Sequence, residues 1–270
     1  ICSYILEEPI DEVYCCLSTV DPQIINEITN FSESNLKEVK YIPSYGKIYS
    51  KKLAYQNYGL IPVLSLRTIH LEDNFNSFLK RSFDILFSTL VLVMLLSWLI
   101  PLLAIVIKVN SKGPVFFKQK RTGWDGKSFN IFKLRSLKKA ESNNESQQVK
   151  AGDTRLLKVG KIIRRLSIDE LPQFFNVLKG DMAIVGPRPH MTDHTKYYSN
   201  DIKNYMQRHK CLPGITGWAQ VNGARGPTDK EGAMDKRFQH DLYYIKNWTL
   251  MLDVYILIRT MFVVLFQKVD

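Results

Sequence analysis

Between Ile85 and Ile107 the chain reads ILFSTLVLVMLLSWLIPLLAIVI, 23 residues without a charge. At 1.5 Å per residue this is roughly 35 Å of helix, enough to cross a bilayer core of about 30 Å. A buried soluble helix of that length without one charge is the weaker reading. The flanks argue against a simple crossing. Lys80 and Arg81 precede the run, and Lys108, Lys112, Lys118, Lys120 and Arg121 follow it. Basic residues favour the cytoplasmic side, so both ends compete for the same side. Pro101 lies inside the run, removes a backbone hydrogen bond and presses on the carbonyl of Ser97. A helix broken there dips into one leaflet and returns. The expectation is therefore a re-entrant membrane helix bent at Ser97 and Pro101, with a single kinked span as the alternative. Backbone freed at the bend needs Ser97, a water or neighbouring protein as a partner.

A second apolar stretch, 254–266 (VYILIRTMFVVLF), is too short to span and suits an interfacial helix. Trp248, Tyr243 and Tyr244 just before it are typical of headgroup depth. An ordinary core helix is the competing reading. Net charge is +11, and it is concentrated. From Lys108 to Arg165 there are sixteen Lys or Arg against four acids, Asp125, Glu141, Glu145 and Asp153, so the remainder is close to neutral. Such a block suits an anionic membrane surface or phosphorylated ligands, and it also fits nucleic acid or a plain solvated face.

Cys2, Cys15, Cys16 and Cys211 form no CxxC pair, so a disulfide framework is excluded and a reducing compartment fits. His190 and His194 are four apart but lack a third His or a nearby Cys. They read as a solvated or core pair rather than a zinc site. No secretory signal opens the chain, and Ile1 in place of Met reads as a fragment or a processed chain.

Residues 11–70 alternate in type. Strands are expected at 11–18, 36–44 and 60–67, with a helix over 22–31 starting after Asp21, as in the tail of an α/β unit. No glycine-rich phosphate loop is present there. Residues 71–79 read as a linker. Further strands are expected at 115–119 and 128–136 around Gly123 and Asp125-Gly126, and a mobile polar loop at 139–153.

The densest chemistry lies in 164–189, RRLSIDELPQFFNVLKGDMAIVGPRP. Asp169 and Glu170 are adjacent acids near a helix start, since Pro172 is tolerated in a first turn. Asp169 as an N-cap, or Ser167 with Glu170 as a capping box, are the local alternatives. Arg164 and Arg165 precede the acids. Arg188 is stiffened by Pro187 and Pro189 and presents one guanidinium to an anion. Lys133 and Arg135 alternate with Leu134 and are expected to share a strand face. Positive neighbours would keep a carboxylate ionised near neutral pH. An ionised Asp can attack phosphorus, and an adjacent Glu can hold magnesium on phosphate oxygens. Together these groups make a phosphoryl-transfer set.

With those motifs in view, the chain from about Leu79 to Phe266 resembles the bacterial sugar transferases, or monotopic phosphoglycosyl transferases. The stretches that carry the resemblance are LKRSFDI, GPVFFKQKRTGWDGKSFNIFKLRS, the acid-pair run above, LPGITGWAQVNG and DLYYIKNWTLMLDVYIL. The resemblance implies a mixed α/β, helix-rich monotopic membrane protein with a re-entrant membrane helix and interfacial amphipathic helices. The expected division is a truncated Rossmann-like segment at 1–70, a linker at 71–79, the re-entrant helix at 80–110 and the catalytic domain at 111–270.

The same resemblance implies Asp169 as nucleophile and Glu170 as ligand to Mg²⁺. Arg164 would meet a phosphate of the lipid or the intermediate. Arg188, between Pro187 and Pro189, would hold the nucleotide. Gln119, Arg121, Lys133 and Arg135 would form a basic strand pair near the phosphates. The implied partners are a UDP-sugar, polyprenyl phosphate and inner-membrane lipid, with no nucleic acid, and longer members suggest a homodimer. The implied place is the cytoplasmic face of the bacterial inner membrane. The implied reaction is transfer of hexose-1-phosphate to polyprenyl phosphate with release of UMP, which starts exopolysaccharide, capsule or lipopolysaccharide O-antigen synthesis. Glucose and galactose lead as the sugar. A non-catalytic basic adaptor for anionic lipid or nucleic acid is the alternative. Three places depart from the family pattern. Leu166-Ser167-Ile168 stands for Thr-Ser-Leu, Ser136-Leu137 for Ser-Met, and Ile100-Pro101 for Ser-Pro.

Overall fold

The computed structural model describes residues 5, 10–17, 20–42, 53–58, 61–66, 69–137, 156–226 and 232–266. The polar stretch at 139–153 lies outside them.

The N-terminal unit opens with β1 (Glu12–Cys16), α1 (Pro22–Ser34) and β2 (Glu38–Ile42). Asp21 caps α1 by accepting from the Gln23 amide at 2.7 Å, and Pro22 occupies the first turn, where no amide is needed. β1 and β2 pair in parallel across this helical crossover. β3 (Leu53–Tyr58) and β4 (Ile61–Leu66) add an antiparallel hairpin, giving the order β1-β2-β4-β3. The sheet is therefore mixed. β3 had no counterpart in the sequence reading. Ser34 and Glu33 at the end of α1 bond Asn204 (2.8 Å) and Gln207 (2.6 Å), tying this unit to the larger one.

Residues 71–79 are not a free linker. A 3₁₀ turn, His70–Glu72, leads into α2 (Asn74–Val91), capped by Asp73 on the Asn76 amide at 3.0 Å. α2 continues through a π turn, Leu92–Leu96, into α3 (Ser97–Asn110), so helical structure runs from Asn74 to Asn110. Pro101 is accommodated inside α3, and the change of winding falls just before it. There the Ser97 hydroxyl donates to the Val93 carbonyl (2.7 Å) and the Trp98 indole to the Met94 carbonyl (3.1 Å). Side chains thus supply partners for backbone whose regular ladder is disturbed. Leu86, Leu90, Val93, Met94, Trp98, Ile105 and Val109 are exposed, an apolar face of the kind that lipid covers.

Both ends of this helix are held by the same globular body. Lys80 and Arg81, expected as membrane-flanking charges, are instead docking residues. Arg81 donates to the Val177 and Leu178 carbonyls at 2.6 and 2.9 Å. Lys80 is buried between Asp84 (3.0 Å) and Asp253 (2.9 Å). Tyr244 and Trp248 also bond Asp253, at 2.8 and 3.2 Å, and Asp84 accepts the Ile184 amide. At the far end, Ile107 is fully buried with Leu134 and Ile163.

The rest of the body is built from short elements. They are the hairpin β5 (Phe116–Thr122) and β6 (Ser128–Leu134), α4 (Lys158–Arg165), a 3₁₀ turn Ile168–Glu170 and α5 (Gln173–Lys179). β7 (Ala183–Val185), α6 (Thr192–Asp201), a 3₁₀ helix Tyr205–His209 and β8 (Gly214–Thr216) follow. Last come α7 (Trp218–Val221), α8 (Ala233–Lys246) and α9 (Leu250–Phe266). β7 and β8 pair in parallel. The main core gathers Val177, Met182, Ile184, Val185, Tyr244 and Ile256, with Leu96 of the long helix among them. α9 buries Asp253, Ile256 and Val263 and exposes Met251, Ile258, Met261, Phe262, Leu265 and Phe266. It is longer than the expected stretch and apolar on its outer side as well. His190 precedes α6, so it and His194 do not share a helix face.

Candidate active site

The acid pair sits in the 3₁₀ turn between α4 and α5. Ser167 adopts a left-handed conformation (φ 55°) and turns the chain sharply after Arg164 and Arg165. Neither local capping alternative holds. The Ser167 hydroxyl accepts from Arg225, Glu170 is engaged elsewhere, and α5 starts after Pro172 without a side-chain cap.

Asn176 of α5 locks this segment onto the hairpin. Its side chain accepts from the Phe132 amide (3.0 Å) and donates to the Asn130 carbonyl (2.7 Å). That contact brings β6 under the acids. Lys133 Nζ reaches Glu170 Oε1 at 2.7 Å. Arg188 grips the same carboxylate with two donors, Nη2 to Oε1 at 2.6 Å and Nη1 to Oε2 at 3.1 Å. A two-point guanidinium–carboxylate pair fixes orientation as well as charge.

The loop carrying Arg188 is rigid because three backbones cross without room for side chains. A Cβ on Gly214 would stand 2.1 Å from the Gly186 amide nitrogen, and one on Gly217 2.2 Å from the Gly186 carbonyl. Pro187 and Pro189 are buried on either side of Arg188, and the Pro187 carbonyl accepts the Gly214 amide at 2.9 Å. From behind, the buried Arg208 donates to the Arg188 carbonyl at 2.8 Å while paired with Asp241.

The two acids have opposite electrostatics. Burial alone would raise the Glu170 carboxyl, but Arg188 and Lys133 outweigh it and hold it well below the usual range. Asp169 is only 7% exposed. Burial, then the charge of Glu170, push its pKa up, and Lys133, Arg164 and Arg188 offset only part of that. The cations around the pair therefore act unequally. They hold Glu170 down, and Asp169 is a desolvated carboxylate of raised basicity.

Gln119 and Arg121 lie on the inner side of β5, where Gln119 meets the Met191 sulfur and Arg121 reaches the Pro-Arg-Pro loop. Arg121 donates to Gln119 Oε1 (2.6 Å) and to the Pro189 carbonyl (3.5 Å). Burial and the nearby Arg188 bring its pKa down to about 10. Arg135 is not in the site. β6 ends at Leu134, so alternation stops there, and Arg135 turns to the end of α3. It donates to the Ser111 and Lys112 carbonyls at 2.6 and 2.9 Å. It anchors the end of α3 rather than a phosphate.

Arg225 was missed. Its contact with Ser167 puts it beside the acids, and its field reaches Arg188, Glu170 and Asp169. Its Nη1, like Arg121 Nε, is buried without a partner among the described residues. Arg121, Lys133, Arg164, Arg188 and Arg225 therefore face two carboxylates. Such an excess of half-buried donors suits a polyanion such as a diphosphate.

Magnesium asks for one or two carboxylates with substrate phosphates completing its shell. Asp169 and Glu170 offer that chemistry. Oε1 of Glu170 takes two donors, but Oε2 takes a single one at 3.1 Å, which leaves that oxygen acceptor capacity. The donor set fits.

Comparison with known proteins agrees with the motifs. The sequence profile described as Bacterial sugar transferase matches residues 75–267. The UDP-glucose:undecaprenyl-phosphate glucose-1-phosphate transferase of Klebsiella pneumoniae is 40% identical over 253 residues, 94% of this chain and 54% of the relative. The Xanthomonas campestris enzyme of the same name is 39% identical over 268 residues, covering 98% of this chain and 55% of the relative. An Aeromonas hydrophila UDP-N-acetylgalactosamine-undecaprenyl-phosphate N-acetylgalactosaminephosphotransferase is 44% identical over 185 residues, 68% of this chain and 43% of the relative. The chain spans about half the length of the first two.

Proposed function

This chain belongs to the bacterial sugar transferase family, and from that premise we propose that it transfers a hexose-1-phosphate from a UDP-sugar to polyprenyl phosphate by way of Asp169. The observation that carries the proposal is the arrangement of Asp169. It is a buried carboxylate of raised pKa beside Glu170, which is clamped by Lys133 and Arg188, and among arginines with unfilled donors.

In the first step an Asp169 oxygen forms a bond to the β-phosphorus, and the bond from that phosphorus to the bridging oxygen breaks. UMP leaves with the bridging oxygen, and the sugar phosphate stays on the enzyme as an acyl phosphate. In the second step a phosphate oxygen of the lipid attacks the same phosphorus, releasing polyprenyl-diphosphate sugar and restoring the carboxylate. Arg188 and Lys133 hold Glu170 and add positive charge beside the reacting phosphorus. Arg164 and Arg225 lie close enough to Asp169 for their charges to act there. Arg121 backs the Pro-Arg-Pro loop. Glu170, with Asp169 beside it, would hold Mg²⁺, which when bound neutralises phosphate charge. All of these donors are preset before substrate arrives, which is where electrostatic catalysis gains most.

A re-entrant placement of the long helix supports access to the lipid. One globular body grips the helix at Arg81 and Lys80 near its start and at Ile107 and Ser111 near its end. A helix that dips into one leaflet and returns would let a body on one side of the bilayer hold both of its ends. The exposed faces of this helix and of α9 then lie in the same leaflet, and the cytoplasmic face is where a UDP-sugar is available. Glucose is the first donor to test, since relatives aligned over 94% and 98% of the chain are named for it.

The test is UMP release from a panel of UDP-sugars by protein in lipid, with polyprenyl phosphate and Mg²⁺, with and without chelator. We expect release from one UDP-hexose, lost with chelator. Release from none of them would count against the proposal.

A further inference from the structure

We propose that Arg237, on α8 and outside the reacting groups, is the positioning residue that aims Arg225 at the acid pair. This rests on the reading of Arg225 as a phosphate-facing cation given above. Arg225 stands in an irregular stretch after α7. Among the described residues, the backbone tie next to it is the Ala224 amide on the Ala219 carbonyl at 2.9 Å. Gly226 is exposed with open space around it. Such a stretch does not by itself hold a long side chain in one direction.

Arg237 supplies the missing constraint. Its Nε donates to the Ala224 carbonyl at 2.9 Å and its Nη2 to the Gly226 carbonyl at 2.5 Å. One planar guanidinium thus straddles Arg225, gripping the peptides on either side of it. The Arg237 base is firm, since the residue is 7% exposed. One turn further along α8, Asp241 pairs with Arg208, whose guanidinium holds the Arg188 carbonyl. The same helix therefore positions both Arg188 and Arg225, one through Arg208 and one directly. Asp241 is taken up by Arg208, while Arg237 bonds the two loop carbonyls and has its Nη1 3.4 Å from His190 Nε2, so the guanidinium is held at its back and its other two donors serve the loop. A fork of two parallel donors is needed to span carbonyls two residues apart, and lysine has a single ammonium.

The test is a double-substitution cycle read as kcat/KM for UMP release from UDP-glucose, with Tm measured on each variant. Arg225→Ala and Arg237→Gln are each expected to lose about tenfold to a hundredfold, in line with small misplacements of catalytic cations. The double variant is expected to lose no more than the larger single loss. Arg237→Lys is expected to fall between wild type and Arg237→Gln, and it carries the test if the Gln variant does not accumulate. Losses that multiply in the double variant, with either Arg237 substitution, would overturn the positioning role while leaving Arg225 in place. Full activity of Arg225→Ala would instead remove the reading on which the inference rests.

Discussion

Two buried carboxylate clusters in this molecule look alike by composition and differ in the sign of what is left over. Under the long helix, Asp84 and Asp253 share a single cation, Lys80, and neutral donors fill the rest: Tyr244, Trp248 and the Ile184 amide. Only Asp84 Oδ2 lacks a partner there. In the site, Asp169 and Glu170 are outnumbered by Lys133, Arg164, Arg188, Arg225 and Arg121, two of which keep unfilled nitrogens. The first cluster is closed and cements α2, β7, α8 and α9. The second is open toward an anion. Buried charge alone does not mark a reactive centre; surplus donors beside a desolvated acid do.

Substituting Asp169 should separate the two clusters most sharply. Asp169→Asn is expected to lower UMP release by about 10³-fold or more, as removing a nucleophile does. It should also raise stability, on the order of 0.5–2 kcal/mol, because a buried carboxylate held for function is removed. A variant that turned over at the wild-type rate, or melted well below it, would erase the distinction.

Next in size are Asp253→Asn and Glu170→Gln. Each leaves buried cations short of a partner and should cost about 3–5 kcal/mol in denaturant unfolding. Only Glu170→Gln should also abolish turnover in the fraction that remains folded. If Asp253→Asn lost activity per folded molecule, the closed cluster would have a part in the chemistry.

The smallest effect is in pH dependence. The reactive form of Asp169 is the carboxylate, and burial raises its pKa, so turnover should fall as pH drops through that raised value, above the ordinary range near 3.9. Glu170 has a lowered folded pKa. Its stabilisation is present above its unfolded value and is lost as pH falls through the lowered one. Activity should therefore fail at a higher pH than the fold does. Coincident loss of rate and of tertiary structure would contradict this ordering.

The sequence showed the acid pair, Lys133, Arg188 and the apolar helix because each rests on local pattern: a run, an adjacency or a proline frame. α1 was legible from Asp21-Pro22, which fix a helix start by cap and φ angle alone. Arg135 misled because strand alternation was extended past Leu134, where β6 stops. Lys80 and Arg81 misled because a basic flank and a docking residue look the same until the packed surface is known. Arg208, Arg225 and Arg237 gave no local signal, since their partners lie at remote positions and guanidinium reach is set by tertiary packing. The one faint hint was Arg225, set between Gly223 and Gly226.

The most direct measurement is the intact mass of the lipid-embedded protein after incubation with UDP-glucose and Mg²⁺, without lipid acceptor. A mass increase of one hexose phosphate is expected, discharged by polyprenyl phosphate and absent in Asp169→Asn. An unmodified wild-type protein that still releases UMP and forms lipid product at full rate would contradict the covalent role of Asp169.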